Sequence, residues 1–159
     1  MSKVLAWKNI QQWCAPSAWH SVECIEAHTG GEPLRVIVSG WPSLVGKTIL
    51  EKRKECKQLY DNLRTALMWE PRGHADMYGC VITEPVTANA DFGVLFLHNE
   101  GYSSMCGHGI IAVVTVAIEC GLLPKTNAAT QLVVIDTPAG FIHATAHMLE
   151  QRVRSVSFL

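Results

Sequence analysis

The chain alternates short blocks of period-two and period-three-to-four hydrophobicity, broken by two stretches that are apolar almost without interruption. Val22 to Ile25 and Leu34 to Ser39 read as strands, and the two glycines and proline of His28-Thr-Gly-Gly-Glu-Pro33 mark a tight connection between them. From Thr48 to Leu67, Ile49, Leu50, Cys56, Leu59, Tyr60, Leu63 and Leu67 recur at helical spacing with charges between them, which predicts one amphipathic helix. Interleaved Glu51 and Glu55 make its basic residues a solvated face rather than a docking patch. Glu70 to Gly79 is loop chemistry: four ionisable side chains around a proline and two glycines. Arg72, His74 and Asp76 could contact a ligand there, although loop geometry is the commoner reason for such residues.

A strand at 80–83 precedes the first apolar run, Phe92 to His98, which has the length and aliphatic content of a buried strand. The second run, Ile110 to Ile118, lies within a helix expected from Gly107 to Gly121; it is apolar on every side, so protein must surround it. Gly121 and Pro124 terminate it. Leu132 to Asp136 and Phe141 to Met148 are strands joined by Thr137-Pro-Ala-Gly140. In the second of them His143 and His147 share the face opposite Ile142, Ala144 and Ala146, so both histidines should face solvent. Arg152 to Leu159 reads as a further strand without a stop signal, which suggests a truncated polypeptide.

Composition narrows this picture. A chain of 159 residues, 48% hydrophobic and 17% charged, suits one globular domain. Its net charge of −1 offers no long-range attraction for nucleic acid or an anionic membrane. Six cysteines without framework spacing, and an N-terminus without a long apolar region, suggest reduced thiols and a cytoplasmic location. No apolar run approaches the ~20 residues needed to span a bilayer. The first 20 residues, with Trp7, Trp13 and Trp19, show no clear period and read as an extension.

The chemistry concentrates at Glu100-Gly-Tyr-Ser-Ser-Met-Cys-Gly-His-Gly109, which delivers Cys106 from the end of one apolar run onto the start of the apolar helix. A helix N-terminus has unpaired N–H groups and a partial positive charge, which favour a thiolate and can lower a thiol pKa from roughly 8.5 toward neutrality. The same N–H groups can hold a carboxylate, and Gly107 and Gly109 would let a small ligand approach the backbone. A base beside an anion cradle suits proton abstraction next to a carboxylate. The competing reading makes Cys106 a small buried hydrophobe, the usual state of a free cysteine. A zinc site is a weaker reading, because Cys106 and His108 lack a second ligand pair.

Three motifs in order, His28-Thr-Gly-Gly-Glu-Pro33, Glu70-Pro-Arg-Gly-His74 and Met105-Cys-Gly-His-Gly109, resemble the proline racemase family. The resemblance runs from about Val22 to the last residue and looks like the N-terminal half of a family member. It implies an α/β (α+β) fold of the diaminopimelate epimerase kind: a curved, mostly antiparallel sheet wrapped around a central apolar helix, with two such domains in the whole enzyme. Residues 1–20 would then be an N-terminal extension and 21–159 the N-terminal domain, with its C-terminal counterpart absent or replaced by a second copy in a homodimer.

The resemblance further implies that Cys106 is a catalytic thiol, that the backbone of Gly107 and His108 binds a substrate carboxylate, and that the His108 side chain reaches the substrate ring nitrogen. It implies no cofactor and a small-molecule substrate, hydroxyproline or proline. His98-Asn-Glu-Gly-Tyr-Ser-Ser-Met-Cys106 and Arg72-Gly-His-Ala-Asp-Met-Tyr78 look most like trans-3-hydroxy-L-proline dehydratases. The alternatives are a two-cysteine racemase or epimerase, and a non-catalytic binding domain.

Overall fold

In the computed structural model the described residues are 10–159. Trp7 and the rest of the segment before Ile10 lie outside them, so only part of the expected extension is seen; there exposed Trp13 and Trp19 meet edge to face at 6.3 Å. The elements follow as β1 (Glu23–Thr29), β2 (Glu32–Ser39), α1 (Ile49–Leu59), α2 (Asp61–Met68), β3 (Tyr78–Thr83), β4 (Phe92–His98), β5 (Gly101–Ser103), α3 (Gly107–Glu119), β6 (Thr130–Thr137), β7 (Gly140–Leu149) and β8 (Arg152–Phe158).

The opening hairpin forms, with strands longer than the sequence suggests. Pairing continues to His28 with Pro33 and Thr29 with Glu32, leaving only Gly30 and Gly31 in the turn. Both have positive φ, +61° and +104°, which glycine adopts without strain. The single helix expected over 48–67 is instead two. A capping box starts α1, with Glu51 N–H donating to Thr48 Oγ1 and Thr48 N–H donating to the Glu51 carboxylate. At Tyr60 the backbone leaves the helical region (φ −128°, ψ 16°), and α2 restarts at Asp61. A one-residue interruption barely disturbs the apolar spacing, which is why the sequence hides it. It also leaves Leu50 and Leu59 exposed, while Lys52 and Arg64 are buried.

The sheet runs β1-β2-β3-β4-β6-β7-β8, antiparallel except at β2–β3 and β4–β6. Strand β4 is buried from Phe92 to Leu97 because protein covers both its faces. Phe92, Val94 and Phe96 join one core with α3, whereas Leu95 and Leu97 join a second with Cys56, Leu67 and Met68 of α1 and α2. Only Phe92 and Gly93 pair with β6. The far end of the same β4 edge is thereby left for β5, a short strand that the sequence reading lacks.

Helix α3 packs against β1, β2, β3, β7 and β8, so the curved sheet wraps it as its composition requires. The enclosure is not complete: Ile111, Thr115 and Glu119, on one stripe, stay half-exposed, and β1 and β8 remain unpaired edges. Gly121, at φ +83°, ends the helix. His143 and His147 face solvent from β7 as expected. No helix among the described residues is long and apolar enough to cross a membrane.

Two aspartates secure the narrow β4–β6 junction. Asp91 Oδ2 accepts from Val134 N–H at 2.8 Å while Asp91 N–H donates to Val134 O at 2.8 Å. Buried Asp136 accepts from Val86 N–H, Thr87 N–H and Thr87 Oγ1–H, closing the 84–91 loop. Asp136→Ala strands those donors and should cost about 2–3 kcal/mol, read as a lower urea midpoint in equilibrium unfolding. A second expectation concerns alkali. Burial pushes the Cys56 thiol from 9.0 up to about 11 and raises Cys80 and Tyr102 as well. The unfolded chain therefore loses these protons first, and stability should fall as pH rises from 9.0 through about 11; thermal melts across that range would show it.

Candidate active site at the head of the central helix

Cys106 is the residue that caps α3, in extended backbone conformation (φ −147°, ψ 113°), and its carbonyl accepts the first helical hydrogen bond, from Ile110 N–H. The β4–β5 hairpin aims the chain into this position. Arg64 of α2 pins that hairpin: its guanidinium grips Asp61 at 2.7 and 2.9 Å and donates to the carbonyls of His98 and Asn99. Asn99 in turn donates to the carbonyls of Met68 and His74. Helix α2, the 70–77 loop and the strand turn are thus one hydrogen-bonded unit, and Cys106 follows three residues after β5.

At the helix head the first and third motifs meet in space, while the 70–74 motif is joined to the strand turn through Asn99. Thr29 Oγ1 donates to His108 O at 2.9 Å, which ties the first hairpin to the first helical turn. His108 Nε2 lies 3.2 Å from Pro33 O and Nδ1 lies 3.3 Å from Cys106 Sγ. A hydrogen on Nε2 satisfies the carbonyl and leaves the Nδ1 lone pair facing the thiol. The Tyr78 ring meets His108 edge-on at 5.1 Å, stacks on His98 at 5.5 Å, and its hydroxyl donates to Ser103 Oγ at 2.7 Å. Arg72, His74 and Asp76 serve the loop itself: Arg72 donates to Ala66 O, and Asp76 N–H donates to His74 Nδ1.

The two glycines divide their work. A Cβ on Gly109 would lie 2.6 Å from Phe96 Cε1 and 3.1 Å from Cys106 Sγ, so its bareness serves the protein's own packing and not ligand approach. A Cβ on Gly107 would meet only Phe158, at 3.4 Å. The Gly107 and His108 N–H groups, at the first turn of α3, have no acceptor among the described residues. Free N–H groups at a helix head are of the kind that can hold an anion.

The electrostatics correct one expectation. The Cys106 thiol does not fall toward neutrality here; burial raises it, against the opposing pull of the nearby Gly109 N–H and Tyr78 hydroxyl. Desolvation of a nearly covered sulfur outweighs the helix terminus. A cavity of about 590 Å³ lies at the other end of α3, between Ile25, Ile82, Phe92, Val116 and Leu123, away from this chemistry. Tyr78 and Ser103, absent from the candidate residues of the sequence, announce themselves there only as neighbours of two motifs, Asp76-Met-Tyr78 and Ser103-Ser-Met-Cys106.

A curved sheet around one apolar helix, with a thiol at the helix head, defines a diaminopimelate-epimerase-like α/β domain. Residues 24–159 match the proline racemase family, and the chain belongs to it. It is 52% identical over 153 residues to trans-3-hydroxy-L-proline dehydratase of Colwellia psychrerythraea, covering 94% of this chain and 43% of that protein. With the same-named protein of Bacillus thuringiensis it is 56% identical over 134 residues, 84% of this chain and 40% of the relative. A 3-hydroxyproline 2-epimerase of Burkholderia multivorans is 56% identical over 124 residues, covering 78% of this chain and 37% of the relative. The chain therefore spans about two fifths of the length of the curated relatives it matches. Among solved structures, a probable proline racemase of Agrobacterium radiobacter with bound carbonate superposes with TM-score 0.81 at 25% identity, covering 87% of this chain and 41% of that one. The fold is shared also with an Agrobacterium vitis hydroxyproline epimerase, TM-score 0.80 at 23% identity, over 86% of this chain and 40% of that one.

Because the reactive form of the thiol is the thiolate, iodoacetamide should modify exposed Cys14 and Cys120 before Cys106 at neutral pH. Cys106 labelling should then accelerate about tenfold per pH unit up to its raised pKa. Peptide mass spectrometry of timed samples reads both the order and the slope.

Proposed function

We propose that the protein carrying this chain is a trans-3-hydroxy-L-proline dehydratase, that residues 21–159 are its N-terminal domain, and that Cys106 is its Cα-proton base. The observation that carries this reading is the convergence of a thiol, an imidazole and two free N–H groups at one helix head. Relatives named as that dehydratase, at 52% and 56% identity, support the choice of activity. Gly107 and His108 N–H groups hold the substrate carboxylate, and this fixes the adjacent Cα–H beside Sγ. As the proton leaves, charge develops on the carboxylate, where the helix dipole and the same N–H groups stabilise it.

The resting thiol must ionise before it can act. His108 Nδ1, 3.3 Å away, is placed to take its proton, and the substrate's own ammonium favours the thiolate that results. Loss of the 3-hydroxyl as water then gives an enamine, which tautomerises to Δ1-pyrroline-2-carboxylate. None of these steps calls for a cofactor. The other face of the substrate belongs to the part of the protein beyond this chain, in keeping with the share of the relatives that the chain spans.

Full-length protein incubated with trans-3-hydroxy-L-proline should form the pyrroline, detected with o-aminobenzaldehyde, and Cys106→Ser should lower its kcat by at least ~100-fold, the scale of a positioned general base. Inversion at Cα without loss of water would instead identify a 2-epimerase, and absence of both reactions would reject the reading.

A further inference from the structure

The proposed base accounts for one of the two bonds that must break. In trans-3-hydroxy-L-proline the hydroxyl is trans to the carboxylate, so the Cα–H and the C3–OH project from the same face of the ring. A base at Cys106 therefore has the leaving group on its own side, and hydroxide is too poor a leaving group to depart without a proton. A proton donor is therefore needed on the same side of the ring as Cys106.

Resting on that reading, we propose that Tyr78, supported by Ser103, is the acid that protonates the departing 3-hydroxyl. Its hydroxyl donates to Ser103 Oγ at 2.7 Å, three residues before Cys106. Its ring is fixed between His98, stacked at 5.5 Å, and His108, edge-on at 5.1 Å. Among the described residues Tyr78 is the phenol whose ring meets His108, itself 3.3 Å from the Cys106 sulfur. Burial raises the Tyr78 pKa above 10.0, which keeps that proton in place at neutral pH.

The protons balance within the cluster. The Cys106 thiolate takes the Cα proton and becomes a thiol. The electron pair left at Cα forms the C2–C3 double bond as the C3–O bond breaks, and Tyr78 gives its proton to the leaving oxygen, which departs as water. Tyr78 is then a phenolate on the same side of the site as the newly formed thiol. Since the phenolate is the stronger base, the thiol proton passes to it, and thiolate and phenol are restored as they stood at the start of this step, with His108 still holding the proton it took from the resting thiol. The same hydrogen thus travels from carbon to sulfur to the phenol, and no external acid or reductant is consumed.

The test uses the full-length enzyme in deuterated water, comparing wild type with Tyr78→Phe, which keeps the stacked ring. The variant should still exchange the Cα proton of trans-3-hydroxy-L-proline, while dehydration falls at least ~100-fold relative to that exchange, within the range of general acid catalysis. The analogue with chlorine replacing the hydroxyl in the same configuration should be eliminated by the variant at near wild-type rate, because chloride leaves without a proton. Wild type provides a measurement independent of the variant's folding: its solvent isotope effect should exceed ~2 on the hydroxyl substrate and vanish on the chloro analogue. Exchange and dehydration falling together in Tyr78→Phe, dehydration unchanged in it, or equal isotope effects on the two substrates would overturn the proposal. Wild type that forms no pyrroline at all marks failure of the dehydratase reading instead.

Discussion

Everything in this domain follows from the need to bury α3. A helix with no polar face cannot rest on one side of a sheet, so the sheet must curve until strands from both of its ends reach it. The curvature brings both β1 and β8 against the helix and leaves its two ends and the stripe of Ile111, Thr115 and Glu119 near solvent. A candidate site at a helix terminus suits that arrangement: the terminus carries the field and the free N–H groups, and the wrapped sheet keeps it rigid.

The second core makes that rigidity possible. Strand β4 is flanked by α3 on one face and by α1 and α2 on the other, so each of its side chains from Phe92 to Leu97 is packed. Arg64 and Asn99 then convert a loop and a turn into fixed geometry, and through them the position of Cys106 is set by helices far from it in sequence. This explains why a charged loop such as 70–77 can be needed near a site without contributing a side chain to it. Its part is to hold the His74 carbonyl that Asn99 grips.

At the site, opposing electrostatic effects are closely matched. Burial holds the Cys106 thiol protonated, while the helix N–H groups, Tyr78 and His108 are arranged to stabilise the thiolate once it forms. A base kept neutral at rest and ionised beside a charged substrate spares the free protein an uncompensated buried anion. Cys106 thus has the burial of a core residue at a helix head where a thiol can also react, the two readings between which its sequence could not decide.

Local pattern determined a good deal by itself. Apolar runs marked β4 and α3, glycine pairs and Thr137-Pro-Ala-Gly140 marked hairpins, and period-two alternation placed His143 and His147 outside, because each signal depends only on near neighbours. The ordered motifs further marked Cys106, Gly107 and His108 as a unit. What tertiary structure decided is whatever depends on distant partners. The break at Tyr60 preserves helical phase, so only the packing of α1 and α2 reveals it. Gly109 is small because Phe96 lies against it, and β5 exists because β6 leaves half of an edge unpaired. The direction of the Cys106 pKa shift, and the meeting of Tyr78 with Ser103 across 25 residues of chain, depend on burial and contact that no stretch of sequence contains.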